Sequence, residues 1–71
     1  MLKLSARNQF SGTIREIRHG VANTHVRLQI APGVVINATI TNEAAEEMML
    51  KVGDQAIAVV KAADVILGKE D

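Results

Sequence analysis

The stretch Ala22-Asn23-Thr24-His25-Val26-Arg27-Leu28-Gln29-Ile30-Ala31-Pro32-Gly33-Val34-Val35-Ile36-Asn37-Ala38-Thr39-Ile40 decides the fold. Its period is two. Ala22, Thr24, Val26, Leu28 and Ile30 alternate with Asn23, His25, Arg27 and Gln29, the pattern of a half-buried strand. Ala31-Pro32-Gly33 breaks it, because proline fixes φ and glycine tolerates the positive φ of a tight turn. Alternation then resumes in Val34, Ile36, Ala38 and Ile40. The two runs read as a hairpin.

Working outward, Gln9 to Arg18 forms an earlier strand candidate. Gly12 and Ile14 keep one phase and Ile17 falls in the other. A bulge explains this, with Gly12 a point of close backbone approach; so does a strand covered on both faces. His19-Gly20 supplies the turn into the next strand. On the other side, Thr41 and Asn42 are good helix caps, and Glu43, Glu46 and Glu47 lie where the helix dipole favours acids. This predicts a helix of about two turns, ended by Lys51-Val52-Gly53-Asp54. Gln55 to Lys61 is almost continuously apolar, as in a strand buried on both faces. Ala62-Ala63-Asp64 turns, Val65-Ile66-Leu67 closes the sheet, and Gly68 to Asp71 is a solvated tail. The expectation is one all-β domain over residues 1–71, a small OB-like barrel of about five strands. One short helix lies between strands 3 and 4.

Composition narrows the function. The chain has 71 residues, too few for a large core, and no cysteine to staple it. His19 and His25 have no third ligand nearby, so no structural metal is expected. Oligomerisation is the remaining device, and 48% apolar content leaves side chains to cover a neighbour. Eight basic and eight acidic residues give no net charge, and Phe10 is the only aromatic ring. Nucleic-acid binding on such a barrel wants a basic groove with stacking aromatics, so none is expected. No apolar run fits a signal peptide or a membrane span, and a cytoplasmic protein is expected. Ser5, Ser11 and the histidines form no nucleophile–base motif, so the chain is read as no enzyme.

Anion binding is the chemistry with a residue set. Ser5-Ala6-Arg7-Asn8-Gln9 packs a hydroxyl, a guanidinium and two amides into five positions. Arginine presents a planar fork of donors suited to oxyanions. Lys61 ends an apolar strand and is followed by small Ala62 and Ala63, which let backbone amides approach a ligand. Thr41 adds a hydroxyl at the helix start. Cations at strand ends are ordinarily solvated, and patterning alone favours that plainer reading.

The opening Met1 to Gly12, with its Ser-Ala-Arg-Asn-Gln core, resembles the molybdenum-pterin-binding (Mop) domain, whose free-standing members are the molbindins. The resemblance continues through residues 36–41, 50–54 and 58–66, in order along the whole chain. It implies an OB-like barrel assembled as a homohexamer, a trimer of dimers. It further implies storage of molybdate or tungstate at subunit interfaces for molybdenum homeostasis, without an organic cofactor. The implied interface site falls on Ser5, Arg7, Thr41 and Lys61 with the Val60 and Ala62 backbone. A second site falls around Arg18, His19, Gly20 and Val21. Relatives often carry serine three residues after the threonine; this chain has Ala44, so that side-chain donor is either absent or replaced by a backbone amide. The alternative is a non-catalytic regulatory or assembly module of the same fold, acting through a protein partner.

Overall fold

The computed structural model describes residue 3 and residues 5–70. Met1, Leu2 and Leu4 of the family-like opening, and Asp71 of the tail, lie outside the described residues. The chain forms β1 (Asn8–His19), β2 (Asn23–Ala31), β3 (Val34–Thr41), α1 (Asn42–Glu47) and β4 (Gln55–Val60), then a 3-10 turn at Ala62–Asp64. One curled antiparallel sheet results, in the order β3-β2-β1-β4. This is the all-β, OB-like architecture expected, with the helix between the third and fourth strands.

The period-two stretch folds as read. Thr24, Val26 and Leu28 are buried, opposite Ile40, Ala38 and Ile36 in the β2–β3 register. Ile14, Val26 and Leu28 form the core, with Ile17, Ile30, Ile40, Leu50, Ala56 and Ala58 packed around it. The phase slip in β1 is a bulge: the β1–β2 register shifts between Ile14 and Glu16. Arg15 is the extra residue, and the slip lets both Ile14 and Ile17 face the core. Ile14 also pairs with the turn before β4, donating to Asp54 O at 2.9 Å and accepting from Gly53 N at 2.8 Å. Gly12 is the close approach. A Cβ there would lie 2.4 Å from the Gln29 carbonyl oxygen.

Three expectations are corrected. The helix stops at Glu47, well before Lys51, because the chain enters a left-handed cap. Met49 has φ 50°, its N–H donates to Glu46 O, and the Leu50 N–H reaches Ala45 O. That pair of bonds is the Schellman arrangement, formed here without glycine. Second, β4 is covered on one face only. Ala56, Ala58 and Val60 are half-buried, while Ile57 and Val59 stand 37% and 41% exposed. Third, Val65-Ile66-Leu67 forms no strand. The 3-10 turn leads it off the sheet, and Ile66 and Leu67 are 93% and 89% exposed. Strand propensity is a preference for a half-buried pleated surface, and the segment pairs with neither edge strand, β3 or β4.

Candidate functional site

The donors expected of the interface site sit at two ends of the sheet. At the first end, β1 and β4 meet through the Asn8–Val60 pair, and Asn8 Nδ2 donates to Val60 O at 3.1 Å. Arg7 and Lys61 are the residues next beyond this pair, one on each segment. Ala6 is buried and anchors the segment, while Ser5, Arg7 and Lys61 are exposed. Neither cation has a carboxylate partner among the described residues. Lys61 is extended, with φ −66° and ψ 141°, and Ala62 opens the 3-10 turn. Helical geometry leaves the first amides of such a turn unbonded. Hydroxyl, guanidinium, ammonium and backbone N–H groups thus share one corner.

Thr41 is not in that corner. It ends β3, paired with Asn23 at the start of β2, beside the β1–β2 turn. Between Asn8 and His19 lie roughly 35 Å of strand path. Within one chain the six expected residues therefore divide into five at one end and Thr41 at the other. The Thr41 hydroxyl is also engaged: it caps α1 by accepting from Ala44 N at 3.0 Å. The cap uses a lone pair and leaves the hydroxyl proton free to donate outward.

Thr41 instead neighbours the second expected cluster. Arg18, His19, Gly20 and Val21 are all exposed around the β1–β2 turn, which Gly20 N closes onto Asn23 O at 2.8 Å. Arg18 shares Glu16 at 3.6 Å, an exposed pair of little worth. Two residues that the sequence reading did not assign to the site hold the turn in place. Asn42, read only as a cap, donates from Nδ2 to Gly20 O and Val21 O at 3.0 and 3.3 Å. Its Oδ1 accepts from Thr24 Oγ1 at 2.6 Å, and Thr24 in turn meets His19 Nδ1 at 3.1 Å. Thr24 is fully buried. A threonine in the inward phase of a strand needs a polar partner, and that was the available signal.

Two shallow grooves, about 360 and 490 Å³, are lined by other residues, among them Ser11, Arg15 and Gln29 in one and Met48, Leu50 and Ile57 in the other. Among the described residues no cluster of three His, Asp or Glu could hold a cation, and no helix is long and apolar enough to cross a membrane.

A small OB-like half-barrel, with exposed hydroxyl, cationic and amide groups towards the two ends of its sheet, defines the class of fold. The TOBE domain model matches residues 4–67. The chain is 39% identical to a probable molybdenum-pterin-binding protein of Haemophilus influenzae, over 97% of this chain and 100% of that protein. MopII of Clostridium pasteurianum, in an apo form, superposes with a TM-score of 0.87 at 37% identity, covering 94% of this chain and all of that one. The cytoplasmic molybdate-binding protein ModG, with molybdate bound, gives 0.89 at 45% identity, covering 94% of this chain and 48% of that one. The chain belongs to the TOBE domain family and is a protein of the molybdenum-pterin-binding (Mop) domain type.

Proposed function

We propose that this protein is a non-catalytic binder of molybdate or tungstate, which holds the oxyanion between copies of itself as an intracellular store. One observation carries the reading: Arg7 and Lys61, cations without a carboxylate partner among the described residues, lie at one end of the sheet and Thr41 at the other. Docking of a second copy brings the Thr41 end of one subunit onto the Ser5, Arg7, Val60, Lys61 and Ala62 end of the next. A tetrahedral dianion loses a large hydration energy on burial, so several convergent donors and an offsetting charge are needed. Symmetry supplies them, since each Arg and Lys is repeated in every copy.

One further feature agrees with an assembly. Ile57 and Val59 leave one face of β4 open. A covering subunit would bury it. We take a homohexamer, a trimer of dimers, as the working assembly, with the second oxyanion position at Arg18, His19, Gly20 and Val21. The names of the relatives support the ligand, since ModG binds molybdate.

Isothermal titration of the purified chain with molybdate, sulfate and phosphate tests the reading. Heat is expected with molybdate. Its absence at neutral pH would instead favour a regulatory or assembly module. That second reading has its own support: the same domain matches 24% of the molybdenum transport protein ModE of Herbaspirillum seropedicae at 44% identity.

A further inference from the structure

We infer that anion binding at the β1–β2 turn is coupled to uptake of one proton on His19 Nε2, and that Thr24 and Asn42 impose this coupling as positioning residues. The inference rests on the oxyanion reading of that turn and adds its regulation.

The hydrogen-bond chain fixes every proton in it. Asn42 gives both Nδ2 hydrogens to the carbonyls of Gly20 and Val21, so its Oδ1 faces Thr24 and can only accept. Thr24 must then donate its single hydroxyl proton to Asn42, at 2.6 Å. What Thr24 offers to His19 is a lone pair, and His19 Nδ1 at 3.1 Å must carry a hydrogen. In a histidine the bond made by one ring nitrogen sets the state of the other. Neutral His19 therefore presents a bare lone pair at Nε2, which has no partner among the described residues. The rest of the ring is exposed beside Gly20 and Val21.

A lone pair repels a fully ionised oxyanion. A proton taken from solvent onto Nε2 converts the same atom into a charged N–H donor. Burial of Thr24 makes the lock firm, because its hydroxyl has no water to turn towards. The neighbouring charges leave His19 as the switch. On β1 and β2 the registered pairs Arg18–His25 and Glu16–Arg27 lie on the opposite face of the sheet. Strand β3 carries no ionisable residue, and α1 brings only Glu43, Glu46 and Glu47. His25 is a separate case, its Nε2 meeting Asn37 Oδ1 at 3.1 Å.

The test has two parts, both on the full chain. Long-range proton–nitrogen NMR of the ligand-free protein, with the ring neutral, should show His19 as the Nδ1–H tautomer. Thr24→Val, of the same shape, should release it towards Nε2–H, and Thr24→Ser should retain the lock. Molybdate is then titrated in neutral solution, where the anion carries no proton, in two buffers of different ionisation heat. Wild-type protein should take up as much as one proton per anion bound at the turn. Affinity there should fall by up to about tenfold per pH unit once the ring is neutral. His19→Gln should abolish the uptake and His25→Gln should not. An Nε2–H tautomer in the wild-type chain, or molybdate heat with no proton uptake, overturns the coupling alone. No heat in any buffer, with the Nδ1–H tautomer intact, overturns the oxyanion reading and the coupling with it.

Discussion

At the scale of single residues, two positions separate architecture from chemistry. Gly12 serves architecture: any Cβ meets the Gln29 carbonyl at 2.4 Å and Ile30 Cγ2 at 3.1 Å. Both belong to β2, which cannot retreat without breaking its ladder. Gly12→Ala should cost about 2 kcal/mol, read as a lower urea midpoint at unchanged slope. Lys61 is the position proposed to serve chemistry. It is exposed and lacks a carboxylate partner among the described residues, so Lys61→Ala should leave stability within about 0.5 kcal/mol. Molybdate affinity should drop roughly tenfold, by titration calorimetry, for about 1.4 kcal/mol of lost interaction. Lys3→Ala, at another exposed lysine, should change affinity much less. Equal losses in the two variants would reject the site at the β1–β4 end. Gly12 was legible in sequence as a glycine interrupting a strand, whereas the orphan state of Lys61 depends on where all the acids fall, which no local pattern reports.

At the scale of elements, legibility followed whether an element's partner lies close in sequence. The β2–β3 hairpin was read correctly because Pro32-Gly33 and the alternation on either side specify it locally, and Gly33 has the positive φ of 74° the turn requires. The end of α1 was misread because the cap uses Met49, where glycine is the usual signal. That choice has an energetic consequence. A non-glycine residue in the left-handed region costs about 1–2 kcal/mol. Met49 is 76% exposed, so truncating it removes little packing. Met49→Gly should raise stability by roughly 0.5–1 kcal/mol, after the extra entropy of glycine in the unfolded chain is charged against it. A thermal melt that fell instead would mean that the methionine side chain packs on something beyond its own chain. The supposed fifth strand was misread for a related reason: Val65-Ile66-Leu67 has the composition of a strand, but composition does not supply an edge to pair with.

At the scale of the whole molecule, the sequence under-determines the structure: on the proposed assembly, part of its information concerns a neighbour. Gln55 to Val60 reads as a strand covered on both faces, yet one chain covers only one of them. Taken with the divided donors, this makes assembly the variable that joins stability to binding. Few of the described residues are buried: Ile14, Val26, Leu28, Ala45, Ala6, Thr24 and Gly12. A core of that size leaves an isolated subunit marginal. Light scattering should thus report a mass of several chains. Val59→Lys, which sets a charge on the open face of β4, should lower that mass and the melting temperature together.

Mass action then gives a further expectation. A ligand that binds only the assembled, folded state stabilises it by about 2.7 kcal/mol when present at a hundred times its dissociation constant. The melting temperature should therefore rise both with protein concentration and with added molybdate. Val59→Lys should weaken the two responses in parallel, although Val59 is not among the proposed donors. If it lowered the mass while the molybdate response stayed intact, the oxyanion would be held within one chain. The distance between Thr41 and Lys61 would then have to close by some other route.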